Sequence, residues 1–370
     1  MYTQNDLDEA VAAGALSAES AASLRNFIEV QRSAPAVDEE QFRLITGFND
    51  IFVSIAAVIL LVAVGWIGQW LGQAAGTAID GDGPTFVAPL FVAATSWCLA
   101  LFFTAKRRMA LPSIILLLAF VGAVAATVGF IGAYIVGEPP KNQEPLYAGV
   151  IGAISGAVAA GAAWLHWRRF RVPITVAAGA AAVSAIVVGL LIAVLGDPEP
   201  YKNAILGVVL VLGIGVFLFA MRWDSSDPAR VTRRSDVAFW LHLLAAPMIA
   251  HPIFALLGVT DGGNVSMGVG LMVVLLYILF GLTALAVDRR ALLVSALAYV
   301  LFALNELFKQ FGAIELNVAL TALVIGSSLL LLSAFWHQAR QAVVKPLPDS
   351  LRARLPVVTD RAAVATAQSA

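Results

Sequence analysis

Residues able to do chemistry are few in this chain, and they gather in two apolar runs. The stretch "LFALNELFKQF", Leu301 to Phe311, sets Asn305, Glu306 and Lys309 in an otherwise apolar helical pattern. The stretch "DVAFWLHLLAAPMIAHPIF", Asp236 to Phe254, holds Asp236, His242 and His251 with two prolines, Pro247 and Pro252. An ionisable side chain inside a membrane-spanning run is costly and is a functional candidate by default. Counted from Ala291, Glu306 lies about 22 Å along a helix crossing a core of about 30 Å, hence about 8 Å below the far interface. His251 and Asn305 fall at a similar depth. The chemistry this points to is a polar cavity shared by His251, Asn305 and Glu306, open to the outer side, with His242 and Lys309 as secondary candidates. The plainer alternatives stand beside it: a Glu306–Lys309 pair at a helix end, three residues apart on one face, and a bent helix whose imidazoles bond to nearby backbone.

Metal chemistry has a weaker basis. His242 and His251 are nine residues apart, about half a turn out of phase on a straight helix. They share a ligand only if a kink at Pro247 rotates them together. No third His or Cys stands near them at ligand spacing, so neither a metal nor a cofactor is expected. No Walker loop, dinucleotide glycine fingerprint, nucleophile elbow or HExxH box is found. No catalytic residue is therefore assigned, and the chain is not expected to be an enzyme.

The elements that position these residues follow from composition. Hydrophobic residues make up 60% of the 370 and charged residues 13%, and the mean hydropathy is +0.87, well beyond a soluble globular chain. The reading is an all-α polytopic membrane protein. Ten apolar runs are long enough to cross, at Ile51 to Leu71, Phe86 to Thr104, Leu111 to Val136, Leu146 to Leu165, Val172 to Leu195, Ala204 to Met221, Val237 to Leu257, Val265 to Val287, Ala291 to Phe311 and Asn317 to Trp336. The first begins behind about 50 polar residues, too far in for a cleavable signal peptide. A net charge of −1 excludes any general attraction to nucleic acid. With a single cysteine, Cys98, no intramolecular disulfide forms.

Lys and Arg accumulate on the cytoplasmic side of such proteins. With ten spans, "KRR" (106–108), "RRFR" (168–171), "RWDSSDPARVTRR" (222–234), "DRR" (288–290) and both termini share one side. Of the 23 basic residues only Lys141, Lys202 and Lys309 fall on the other. Both ends are therefore expected in the cytoplasm. The opposite loops are short and rich in Gly, Pro and acidic residues. "RRMALP" (107–112) leading to "VGEPPKNQEP", and "RRFRVP" (168–173) leading to "LGDPEPYKN", read either as a two-span repeat of the same orientation or as two membrane hairpins that converge on the same turn signals. Spans three to six are dominated by Ala, Gly and Val with almost no ionisable group, which argues against an ion path through them. "GAISG" (Gly152 to Gly156) is a small-residue pattern for close helix packing. Aromatic residues at span ends, among them Trp66, Trp70, Trp164 and Trp336, read as headgroup anchors.

Residues 1–34 read as a cytoplasmic helix-turn-helix pair: Gly14 breaks the first helix and Ser17 caps the second. Residues 35–50 form a linker and interfacial helix, 51–336 the ten-helix domain, and 337–370 a basic cytoplasmic tail that is partly disordered. Leu7, Ala10, Gly14, Leu16, Ser17, Glu19, Ala22 and Leu24, in the pattern "L..A...G.LS.E.A..L" ahead of many spans, resemble a group of bacterial predicted membrane proteins that carry a domain of unknown function. The resemblance implies a multi-pass protein of the bacterial inner membrane and supplies no activity.

Three readings of function stay open: a transporter of a small solute or lipid-like molecule; a non-catalytic scaffold or sensor in which residues 7–31 engage a cytoplasmic partner or each other; and an intramembrane metal-dependent hydrolase. The lipid bilayer is a partner in all three.

Overall fold

The computed structural model describes residues 48–140, 142–228, 230, 232–259, 266–310, 317–352 and 354–356, with residues 11, 13–14, 16–21 and 23 nearer the amino terminus. Two units are distinguished, Leu44–Val358 and a smaller one of Met1–Arg43 with Thr359–Ala370. In the smaller unit Gly14 adopts φ +70°, and the Ser17 hydroxyl accepts the backbone N–H of Ser20 at 3.0 Å. Those are the turn and the cap that the residue types lead one to expect. The rest of the expected helix pair lies outside the described residues, as does the expected linker and interfacial segment up to residue 47; its last three residues, 48–50, open the first helix of the larger unit.

Each of the ten apolar runs in the larger unit is a helix: α1 (Phe48–Ala74), α2 (Val87–Phe103), α3 (Ala110–Val136), α4 (Glu144–Phe170), α5 (Ile174–Leu195), α6 (Lys202–Ser225), α7 (Arg233–Leu256), α8 (Met267–Val287), α9 (Ala291–Gln310) and α10 (Asn317–Ala334). Two short helices follow, α11 (Trp336–Val344) and α12 (Asp349–Arg352). Among the described residues no strand occurs beyond one isolated bridge between Ala78 and Thr85. Seven helices, α1 and α3 to α8, are long and apolar enough to cross a membrane; α10 and α11, bent by 77° at their junction, make an eighth if they form one span. The 17 residues of α2 reach only about 26 Å at the helical rise, and α9 offers a shorter apolar stretch, Leu292–Asn305. Apolar side chains point outward along these helices; Ile59, Trp66 and Val194, for example, are 64%, 74% and 83% exposed. This pattern fits a multi-pass membrane protein in contact with lipid.

The ends of the helices differ by side. At the acidic, proline-rich end, turns are made mostly by glycine at positive φ, Gly76, Gly81, Gly137, Gly196 and Gly258, with Asp80 beside Gly81 in the same region. At the basic end the left-handed positions are taken by Arg108, Arg171, Arg230 and Asp288. This bears on the two-span repeat. Gly137 (φ 62°, ψ −134°) and Gly196 (φ 75°, ψ −103°) cap α3 and α5 in the same glycine-favouring conformation. Their Arg-Arg turns each contain a left-handed arginine, Arg108 and Arg171, but differ at the helix entry, where Met109 is extended before α3 and Pro173 is in the helical region before α5.

Packing follows side-chain size. The α4 and α5 helices lie backbone to backbone: a Cβ on Gly149 would stand 2.4 Å from the Ala193 nitrogen and 2.6 Å from the Gly189 oxygen. A Cβ on Gly156 would stand 3.0 Å from the Ala182 oxygen, whereas Gly152 meets nothing within 4 Å. The interface stripe is thus Gly149, Ala153, Gly156, Ala159 and Ala163, all buried, and only the second glycine of "GAISG" belongs to it. Likewise α6 crosses α7 where a Cβ on Gly213 would lie 2.8 Å from the Met248 backbone. At the α1–α2 turn the Gln69 amide donates to the Gly83 oxygen and accepts from the Thr85 N–H, each at 2.9 Å. The largest apolar core joins α7, α8, α9, α10 and α11 around Phe254, Phe280, Val300 and Trp336.

Candidate functional site

The polar centre of the larger unit lies at its basic end, where α6 stops, α7 starts and α8 turns into α9. Asp224, in the last turn of α6, is fully buried. Its Oδ1 accepts from Arg289 Nη2 at 2.7 Å, and its Oδ2 accepts from Arg289 Nε at 3.4 Å. Arg289 Nη2 also donates to the Ser235 carbonyl at 3.0 Å, which ties the α8–α9 link to the first turn of α7. His242, two turns further along α7, places Nε2 2.9 Å from Asp224 Oδ2. A carboxylate that already receives guanidinium hydrogens only accepts, so Nε2 is the donor, and the other ring nitrogen is Nδ1. That Nδ1 is buried and has no hydrogen-bond partner. The rings of Phe217 and Phe239 flank His242 and Arg289 at 5.1 Å and 5.8 Å.

A second cluster adjoins the first through consecutive residues, since Asp288 precedes Arg289. Asp288 is left-handed at φ 59° and caps α8. Its Oδ2 accepts from Arg230 Nη1 at 2.8 Å and its Oδ1 from Trp336 Nε1 at 2.8 Å. Arg340 of α11 stands 3.8 Å from the same carboxylate and donates to the Pro356 carbonyl at 2.6 Å. Arg230 further donates to the carbonyls of Val287 and Asp288. Burial first, and Arg289 second, lower the pKa of Arg230 from its ordinary value, while Asp288 and Asp224 oppose that shift. The α6–α7 link is itself pinned where Asp227 Oδ2 accepts from the Thr232 backbone and hydroxyl at 2.9 and 2.7 Å.

The arrangement can do two things. It holds five chain segments together in low dielectric, and it concentrates alternating charges whose pairing depends on water staying out. Trp336, expected as a headgroup anchor, is buried at 3% exposure and acts as a hydrogen-bond donor within this network.

The residues singled out in the sequence are distributed differently. His242 belongs to the Asp224 cluster. His251 does not join it; its Nδ1 lies 2.7 Å from the Tyr299 hydroxyl on α9, and Tyr299 stacks on Phe254 at 4.6 Å. The helices carrying the two halves of the expected cavity therefore do pack together. Asn305 is half-buried on α9 and engaged in an interaction. The side chains of Glu306 and Lys309 lie outside the described residues. Both imidazoles of α7 bond to side chains, not to neighbouring backbone, and α7 runs unbroken through Pro247 and Pro252. Asp236 sits in the first turn of α7, where the helix N-terminus favours a carboxylate. Among the described residues no three His, Cys, Asp or Glu side chains come together as a metal ligand set.

Asp224, Asp288, Arg230, Arg289 and Arg340 were not singled out. For the first four the one signal in the sequence is acid within otherwise basic turns, "RWDSSDPAR" and "DRR"; Arg340 lies in neither. A further buried group is His166 at the end of α4, whose Nδ1 is 3.3 Å from Thr175 Oγ1, among the rings of Trp97, Phe120 and Phe170. No family model matches the chain, and no curated protein or solved structure matches it.

Proposed function

We propose that this protein is a ten-span transporter of a small solute or lipid-like molecule in the bacterial inner membrane, with both termini in the cytoplasm, and that the Asp224 and Asp288 clusters are its cytoplasmic gate. The distribution of Lys and Arg supports that orientation, and the amino-terminal pattern supports the bacterial setting. The single observation that carries the gate is the fully buried Asp224–Arg289 pair at 2.7 Å, bridging helices far apart in the chain. A buried ion pair contributes little net stability over an apolar contact, yet leaving one partner alone costs several kcal/mol. In water the same pair is worth at most about 1 kcal/mol. Such a cluster tolerates a dry closed end or a wet open one and disfavours anything between, which is what a two-state gate needs. The outer route on this reading passes His251, Tyr299, Asn305 and Glu306, on the two helices α7 and α9 that pack together.

The scaffold or sensor reading, through residues 7–31, requires no water path. The hydrolase reading lacks a ligand set among the described residues. Transporter and scaffold separate on accessibility. Single cysteines at Ala238 and Ala245, both fully buried on α7, are introduced with Cys98→Ser. A membrane-impermeant maleimide is then applied to right-side-out and inside-out vesicles. The transporter labels from the cytoplasmic side, more strongly when Asp224→Asn is added. Protection of both positions from both sides, with and without Asp224→Asn, would exclude a gate here.

A further inference from the structure

We propose that the end of α4, "WLHWRRFR" from Trp164 to Arg171, is a binding site for the phosphate of an anionic phospholipid headgroup. Three guanidinium groups in this stretch each lie over an aromatic ring of the same stretch: Arg168 over Trp164 at 4.9 Å, Arg169 over Phe170 at 5.6 Å and Arg171 over Trp167 at 5.8 Å. All three arginines are exposed, and among the described residues none of them forms an ion pair. A ring on the flat face of a guanidinium stabilises the cation and fixes its plane, while the N–H edge stays available to an anion in a two-pronged contact. One of these rings, Phe170, is itself held. Phe170 packs 4.5 Å from His166 and 5.1 Å from Trp97. The Arg171 N–H bonds to the Trp167 carbonyl at 3.0 Å, in the left-handed conformation that ends the helix.

Charge and position identify the ligand. The α4 C-terminus presents about half a negative charge, which three adjacent cations exceed severalfold, and no carboxylate occurs between Trp164 and Arg171. The stretch therefore supplies no acidic partner for its own three cations. Trp164 is 59% exposed and Leu165 49% exposed, on a helix long and apolar enough to cross a membrane. Apolar surface directly below a row of cations matches an acyl chain below a phosphate. Free phosphate shares the anionic chemistry but leaves the Trp164 and Leu165 surface unused. The assignment does not depend on whether the chain transports anything.

The test is native mass spectrometry of the full-length protein in detergent, titrated with phosphatidylglycerol, with phosphatidylcholine, or with inorganic phosphate. Phosphatidylglycerol is expected to be retained in preference to phosphatidylcholine, and millimolar inorganic phosphate to leave it bound. Each Arg→Gln change should weaken retention roughly fivefold, so that the R168Q/R169Q/R171Q triple loses about a hundredfold. The matching Arg→Lys triple should lose less than tenfold, because charge survives and the stacked plane does not. Trp164→Leu should lower retention without altering net charge. Equal retention of the two lipids, unchanged retention in the Gln triple, or displacement by inorganic phosphate would overturn the proposal. Should the Gln triple fail to fold, R168Q and Trp164→Leu are read in its place, and unchanged retention in both is equally decisive.

Discussion

Asp224 and Arg289 are 65 positions apart in sequence and meet at 2.7 Å with both side chains buried. Neither charge has water to fall back on, so each depends on the other. Removing one should cost about 3–5 kcal/mol, while replacing both by apolar groups of similar volume should cost much less. Asp224→Leu and Arg289→Met are each expected to lower the thermal midpoint of the purified protein strongly. The double variant should recover part of the loss, the remainder being the cost of leaving His242 Nε2 without its acceptor. Additive losses would show that the two groups act separately.

The α4–α5 contact gives a second expectation, with an internal control at Gly152 on the same helix as Gly149. At Gly149 and Gly189 an added Cβ collides with backbone at 2.4 and 2.7 Å, and backbone cannot swing aside as a side chain does. Gly149→Ala and Gly189→Ala should each destabilise by roughly 1–3 kcal/mol through overpacking. At Gly152 the added methyl meets nothing, so Gly152→Ala should be neutral or slightly stabilising. Unfolding in graded denaturant, read by tryptophan fluorescence, compares the three.

These two cases also show what the amino-acid order reveals. The helices are legible because crossing lipid demands about 20 apolar residues in a row, a local requirement. Each of α1 to α10 starts and stops within a few residues of its apolar run. The interfaces are not legible. In a run as rich in Ala and Gly as "GVIGAISGAVAAGAAW" several registers fit a small-residue pattern, and only the position of α5 selects Gly149 and Gly156 over Gly152. The charge clusters were hidden for another reason. Lys and Arg near span ends read as a topology signal, and nothing local shows that Asp288 receives Arg230 from the α6–α7 link and Trp336 and Arg340 from α11. Trp336 at a span end has the signature of a headgroup anchor, and its burial follows from the bend between α10 and α11. His242 and His251 were legible as candidates, whereas their separation into two clusters depends on Asp224 and Tyr299 on neighbouring helices.

Trp336 gives a third prediction. Its indole donates to Asp288 Oδ1 and holds α11 against the basic end. Trp336→Phe keeps a ring and removes the donor, leaving a partly buried carboxylate one hydrogen bond short, at about 1.5–3 kcal/mol for a bond to a charged group. The expected result is local: α11 should loosen before the bundle does. Limited trypsin digestion should then cut at Arg340, which is 5% exposed in the intact protein, several times faster than in the wild type. A uniform rise in cleavage at every basic site would mean that the whole fold had weakened instead.

The His251–Tyr299 pair gives the last prediction, and it separates a structural role from a functional one. His251 is exposed and Tyr299 half-buried, so the 2.7 Å hydrogen bond between them should contribute no more than about 1 kcal/mol to stability. Tyr299→Phe keeps the stack on Phe254 and removes only the hydroxyl. If the outer route runs between α7 and α9, this small change should raise outside labelling of a cysteine placed at Ala250, which is buried one residue before His251. His251→Gln should act in the same direction, and Glu306→Gln should alter labelling at that position even though it lies on the other helix. A thermal midpoint within a degree or two of wild type is expected in all three variants. Unchanged labelling in all three at preserved stability would reduce the pair to a polar contact between two packed helices. The gate reading would then rest on the Asp224 and Asp288 clusters alone.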